Sequence, residues 1–242
     1  MTTFISKDTI TRLLKDVRGI IKNPLTENGI YYIHDDVDIM KGYALIIGPS
    51  DTPYFGGNYF FEFNFPADYP HSPPKVKYCT NGNNVRFNPN LYTCGKVCVS
   101  LLNTWRGEQW TSCQSISTVL LTLCTLLCKD PLLNEPGVDK SNPDMASYDE
   151  IIQIANLDIA ICGILQKKDG IFLPFFENFF PYVKENFLKN FDKLLQFAEK
   201  KNSDFNREAQ LFSTRYYNMR ISANYSAIIQ QLKETRVIAE IM

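Results

Sequence analysis

The sequence predicts an α+β fold. It opens with apolar residues at helical spacing, passes through four short β-rich runs that no helix interrupts, and returns to helical spacing for most of its remaining length. Consecutive strands without crossover helices pair as an antiparallel meander, with the helices gathered outside it. At 242 residues, the chain accommodates one domain with an extension and buries a core without disulfide or metal staples.

The first helix is predicted over 10–21, where Ile10, Leu13, Leu14, Val17, Ile20 and Ile21 recur at three and four residues around a basic face of Arg12, Lys15, Arg18 and Lys22. The period then becomes two. The runs YYI (31–33), YALII (43–47), NYFFEFNF (58–65) and KVKYC (75–79) are divided by the turn-formers Gly48-Pro49, Gly56-Gly57 and the 70–74 proline cluster. In the third run Tyr59, Phe61, Phe63 and Phe65 share one face, and Glu62 and Asn64 the other. Beyond a turn-rich stretch, Ile116, Val119, Leu120, Leu123 and Leu127 form a helical stripe. Asn142 as cap, Pro143 in the first position and Asp144 against the dipole then predict a helix reaching about residue 165. The phenylalanine-rich IFLPFFENFFP leads into two further amphipathic segments, around 183–198 and 225–238. So many exposed phenylalanines would form a large apolar patch, so this tail is expected to be helical and to pack on the core.

Hydrophobic content of 45%, charged content of 21% and a net charge of -1 describe a globular protein with no basic surplus for phosphate binding, so nucleic acid is not expected as a partner. No apolar run reaches the roughly 18 residues that cross a bilayer. The stretch MTTFISKDTITRLLKD carries charges where a signal peptide is apolar. The expectation is a cytoplasmic or also nuclear protein with no membrane partner. Seven cysteines, an odd number, suit reduced thiols in such a compartment.

Among candidate chemistries, metal comes first because Cys94/Cys98 and Cys124/Cys128 share a CxxxC spacing. Only His34 and His71 are available to back them, and Cys124 and Cys128 lie beside a helical apolar stripe, so core thiols are expected there and at Cys79 and Cys162. A cysteine protease needs a histidine base with a polar orienting partner, and neither histidine has a local signature of one. No glycine-rich nucleotide loop is present. Cys98 stands apart in FNPNLYTCGKVCVSLLNTW (87–105), between a glycine turn and an apolar run, where a loop presents one thiol. On composition alone it reads equally as a nucleophile or as a small core residue.

The ordered series GPSDTPYFGGNYFFEFNFPADYPHSPPKV (48–76), Asn-Pro-Asn, Cys98 eight residues after Asn90, Trp110 twelve after Cys98, QSISTVLLTLCTLLC (114–128) and NEPG (134–137) resembles the ubiquitin-conjugating enzymes over about residues 7 to 165. GNNVRFNPN, GKVCVSLLNTW, QSIS and NEPG resemble most the subgroup with a C-terminal helical extension, which accepts ubiquitin and the ubiquitin-like modifier FAT-ten from the alternative activating enzyme. The resemblance implies a catalytic core over 1–168 and an extension over 169–242. It also implies a ubiquitin-conjugating activity in which Cys98 takes the modifier as a thioester from an activating enzyme and passes it to a substrate lysine or a ligase. No cofactor is bound, ATP being used by the upstream enzyme.

Residue by residue, Asn90 matches the asparagine that donates to the oxyanion, a role its amide shares with bracing the loop. Asn88 stands where most of the family has histidine, so another bond must brace that loop. Asn134 and Glu135 fall near the acidic gate that orients the incoming lysine, or else shape the turn. Arg12, Lys15 and Arg18 match the helix face that meets the activating enzyme, or form a solvated face. His71, Trp110 and Ser112 fall at the loops that meet a ligase, with His71 and Ser112 departing from the family's aromatic residue and proline, and Ser112 leaving its loop less preorganised. The rival is a non-catalytic binding module of the same fold, with an incidental Cys98 and a helical tail as interaction surface.

Overall fold

The computed structural model describes residues 5–241. Residues 1–4, where the signal-peptide argument and the 1–168 range begin, and residue 242, which ends the extension range, lie outside the described residues. Helix α1 (Lys7–Lys22) starts where the Ser6 hydroxyl accepts the Thr9 N–H at 3.0 Å, and it buries Leu13, Val17 and Ile20. Strands β1 (Ile30–His34), β2 (Lys41–Ile47), β3 (Asn58–Asn64) and β4 (Lys75–Tyr78) pair in sequence order, each antiparallel to the next. The fold is α+β, with the meander that the spacing predicts.

The two faces of the sheet bury different partners. Tyr59, Phe61 and Phe63 form one cluster with α1 and with Ile116, Val119, Leu120 and Leu123 of α2 (Ile116–Leu126). The next helix, α3 (Met145–Ala155), begins after Asp144 rather than after Asn142. Its path continues to about residue 165 through a π-helical stretch, Asn156–Gly163. There the buried Asn156 accepts the Tyr59 hydroxyl at 2.6 Å and donates to the Phe55 carbonyl at 3.0 Å, tying the widened turn to the sheet.

The other face, Leu45 and Phe60 with Tyr31, Ile33, Tyr43 and Ile47 beside them, is covered by the tail. Phe60 stacks on Phe176 at 4.3 Å between ring centroids, Tyr43 meets Phe175 at 5.3 Å and Tyr31 stacks on Tyr182 at 4.3 Å. Helix α4 (Phe180–Asp204) adds Val183, Phe187, Phe191 and Leu194, and α5 (Tyr225–Ile241) adds Ile228 and Leu232. Between these helices the tail departs from the helical expectation: β5 (Gln210–Ser213) and β6 (Arg220–Ala223) form a hairpin in which Phe212 faces Ile221. Four-residue strands give too few alternations to register as a period of two.

Phe60, only 1% exposed, depends on the tail for its cover. A chain stopped after residue 168 is therefore expected to lose soluble folding, and Phe60→Ala in the full chain to lose about 3–5 kcal/mol in urea denaturation. A monodisperse truncated protein on size exclusion, with a sharp thermal transition, would overturn this.

Candidate active site

Residues 87–105 fold into the loop that the turn residues foretell. Gly95 sits at φ +90, where a Cβ would lie 2.9 Å from the Tyr78 carbonyl oxygen and the Lys77 side chain, and its own carbonyl accepts the Tyr78 N–H at 2.8 Å. This turn is thereby fastened to β4 just before Cys98. Cys98 is held from both sides: its N–H donates to the Asn90 carbonyl at 2.9 Å, and its carbonyl accepts the Asn90 side-chain amide at 2.6 Å. As it stands in this structure, that amide braces the loop.

Asn88 supplies the support behind Asn90. Fully buried, it donates to the Leu126 carbonyl at 2.8 Å and to the Tyr54 hydroxyl at 3.4 Å, and its side-chain oxygen accepts the Asn90 N–H at 2.9 Å. The same oxygen accepts the Asn134 amide at 3.4 Å. Asn88, Asn90, Asn134 and Cys98 thus belong to one hydrogen-bonded unit.

The thiol itself is not presented to solvent. Cys98 is 4% exposed, and its Sγ donates to the Thr104 carbonyl at 3.0 Å. The covering contact is Thr104, in the exposed segment 103–109 that also carries Trp105 at 48% exposure. Thr104 anchors it: its hydroxyl accepts the Val99 N–H at 2.9 Å and lies 2.9 Å from the Val97 carbonyl oxygen. The expectation of an accessible nucleophile is corrected by this cover, which the SLLNTW stretch does not announce because it depends on one threonine folding back over the turn.

Two groups that the sequence reading missed lie beside this unit. The Arg86 guanidinium lies 3.5 Å from the Tyr92 ring centroid and 4.5 Å from that of Tyr217, and bonds to the Asn88 and Pro89 carbonyls. Tyr217, in the turn between β5 and β6, donates its hydroxyl to the Glu135 carboxylate. Burial, then the hydrogen bond to Glu135 and that carboxylate's charge, push the Tyr217 hydroxyl pKa well up. Neither residue carries a local motif, and Tyr217 lies far along the chain from the other members.

The other thiols divide by burial. Cys79 and Cys162 are core residues whose pKa burial pushes up to about 12, burial also raises Cys124 and Cys128, and Cys94 and Cys113 are exposed. Among the described residues no three His, Cys, Asp or Glu side chains are grouped to hold a metal ion, and no helix is long and apolar enough to cross a membrane.

Of the partner-facing candidates, Lys15, Arg18, His71 and Ser112 are exposed, and two need correction. Arg12 is not a free cation: it pairs with Asp16 at 3.1 Å and donates to the Ser112 and Gln114 carbonyls, stapling α1 to the loop before α2. That staple also holds the loop in which Ser112 lacks a proline's fixed angle. Trp110, 7% exposed, joins the core and donates its indole N–H to the Pro70 carbonyl at 2.7 Å, so it anchors the loop from within instead of meeting a partner.

The family model of the ubiquitin-conjugating enzyme matches residues 12–153. The chain is 44% identical over 162 residues to the ubiquitin-conjugating enzyme E2 Z of Homo sapiens, covering 66% of this chain and 45% of that protein. It is 40% identical over 190 residues to the E2 Z of Danio rerio, covering 77% and 56%. The match to the BIRC6 protein of Homo sapiens, named a dual E2 ubiquitin-conjugating enzyme/E3 ubiquitin-protein ligase, is 46% over 127 residues, covering 49% of this chain and 3% of that one. The chain spans about half the length of the E2 Z relatives it matches.

The cover predicts an order of thiol reactivity. Iodoacetamide should modify Cys94 and Cys113 before Cys98, read by peptide mass. Thr104→Val, which removes hydrogen bonds worth about 1 kcal/mol, should speed Cys98 modification about fivefold. Cys98 reacting as fast as Cys94 in the unsubstituted chain would show that the cover is not in place.

Proposed function

The chain belongs to the ubiquitin-conjugating enzyme family, and on that premise we propose that Cys98 accepts ubiquitin or a ubiquitin-like modifier from an activating enzyme and passes it to a substrate lysine or to a cysteine of a partner ligase. The observation that carries this reading is the reciprocal clasp between Asn90 and Cys98, which places a side-chain amide 2.6 Å from the backbone carbonyl of the thiol-bearing residue. A nucleophile needs such a fixed position, and an incidental core cysteine does not.

In the first step segment 103–109 moves aside. The Cys98 sulfur gives up its proton and attacks the carbonyl carbon of the modifier's C-terminal glycine, forming a new C–S bond while the activating enzyme's cysteine leaves as a thiol. One thioester replaces another, so no metal or cofactor is called on, and the ATP is used by the activating enzyme. In the second step a lysine amine attacks the Cys98 thioester, an amide forms, the amine proton departs and the thiol is restored. Negative charge develops on the carbonyl oxygen in that attack. The Asn90 amide, swung from the loop carbonyl it braces, serves as its donor, an effect worth about 10²–10³ in rate. Glu135 accepts a hydrogen bond from the incoming lysine ammonium and takes the proton that it must lose before its amine attacks, and Asn134 holds the turn that carries Glu135. Lys15 and Arg18 offer the exposed basic face for the activating enzyme, and His71 and Ser112 the exposed loops for a ligase. The compartment is the cytoplasm, also open to the nucleus.

The covered thiol favours a second reading, a binding module of the same fold with an idle cysteine. Charging separates the two. With activating enzyme of either kind, ATP and ubiquitin or FAT-ten, Cys98 should give an adduct that reductant removes; Cys98→Ser should give a reductant-resistant ester and Cys98→Ala none. Asn90→Ala should still charge yet discharge to lysine about 10²-fold more slowly. No adduct with any of these modifiers and activating enzymes would leave the binding-module reading standing.

A further inference from the structure

We propose that Tyr217, from the C-terminal extension, is a positioning residue for the acceptor lysine that acts through Glu135; this rests on the reading of Cys98 as the thioester-bearing residue. Three observations converge on it.

The first is the bond. Tyr217 donates its hydroxyl to one oxygen of the Glu135 carboxylate. Glu135 follows a short turn, 131–134, and its side chain would otherwise rotate among several rotamers. An ionised carboxylate has about four lone-pair sites, so one tyrosine hydroxyl fixes its orientation and leaves room for an ammonium.

The second is continuity with the residue that bears the thiol. Asn134, next to Glu135, bonds to Asn88 at 3.4 Å, Asn88 to the Asn90 N–H at 2.9 Å and the Asn90 amide to the backbone carbonyl of Cys98 at 2.6 Å. On its other side Tyr217 lies 4.5 Å from Arg86, whose guanidinium grips the carbonyls of Asn88 and Pro89. Tyr217 therefore touches both the residue that would receive the lysine and the residue that fixes the turn before Asn90.

The third is the expense of holding Tyr217 there. Its backbone is left-handed, φ 60 and ψ 6, and Asn218 follows at φ 49. A bulky aromatic residue is strained in that region, and persists only where its surroundings over-determine it. Here they do: the Asp144 carboxylate accepts the N–H groups of Arg215 at 2.7 Å and Tyr216 at 2.9 Å, and Thr214 bonds to the Met219 carbonyl at 3.0 Å and the Tyr216 carbonyl at 2.7 Å. Asp144 stands at the start of α3, so the core itself grips the hairpin turn that delivers Tyr217.

The test uses the full chain and the variants Tyr217→Phe, Glu135→Gln and both together. Tyr217→Phe keeps the ring over Arg86 and removes only the hydroxyl. Ubiquitin is loaded on Cys98 with activating enzyme and ATP, the activating enzyme is stopped, and decay of the isolated thioester is followed on free lysine and, separately, on a small thiol. Each single variant should discharge to lysine about tenfold more slowly. The double variant should be no slower than the slower single, because both remove one interaction. Decay on the thiol, which needs no carboxylate to meet an ammonium, should be alike in all four proteins. Unchanged lysine discharge in Tyr217→Phe, multiplying effects in the double variant, or thiol and lysine discharge falling together would each overturn the positioning role while leaving Cys98 as the acceptor. An unsubstituted chain that never charges would overturn the Cys98 reading and this inference with it.

Discussion

The buried side chain of Asn88 is the joint on which the site depends. A fully buried amide must satisfy both its ends, and this one does so by reaching four different parts of the chain: the end of α2, Tyr54, the backbone of Asn90 and Asn134. An apolar residue in its place would leave the Leu126 carbonyl and the Asn90 N–H without a partner inside the protein, at about 1–3 kcal/mol for each group left buried. The bracing falls to one small side chain that carries both donor and acceptor at one end. Because Asn90 is oriented from Asn88, and Cys98 from Asn90, the geometry at the sulfur is inherited from the core.

The tail enters the fold twice, for different physical reasons. Its phenylalanines cover a sheet face that is itself aromatic, an area effect indifferent to the placement of any one atom. Its hairpin turn is directional, held by charge-assisted bonds from Asp144 and ending in the Tyr217 hydroxyl on Glu135. The first contact makes the tail part of the folding unit, and the second brings it to the loop network that holds the thiol.

Legibility in the sequence followed the range of the interaction. The sheet, α1 and α2 were readable because their apolar periods are local, and Tyr59, Phe61 and Phe63 do lie together on the inner face. The loop around Cys98 was readable through its turn residues. Phe60 carried a hint, a phenylalanine on the nominally polar side of β3, that this face too had to be covered. The contacts of Arg12 and Trp110 are not legible because exposure is a tertiary property: a basic residue on a helix face reads alike whether it meets solvent or the carbonyls of Ser112 and Gln114. Tyr217 and Thr104 were invisible because each acts through a fold-back that no spacing encodes.

The cover over Cys98 bears on more than access for a protein partner. A cysteine open to solvent is subject to stepwise oxidation by peroxide, first to a sulfenic acid and then to acids that thiols no longer reverse. Cys98 lies buried with its sulfur against the Thr104 carbonyl, while Cys94 and Cys113 stand exposed. An oxidant therefore meets Cys94 and Cys113 first, and the Cys98 sulfur only when the Thr104 carbonyl moves off it.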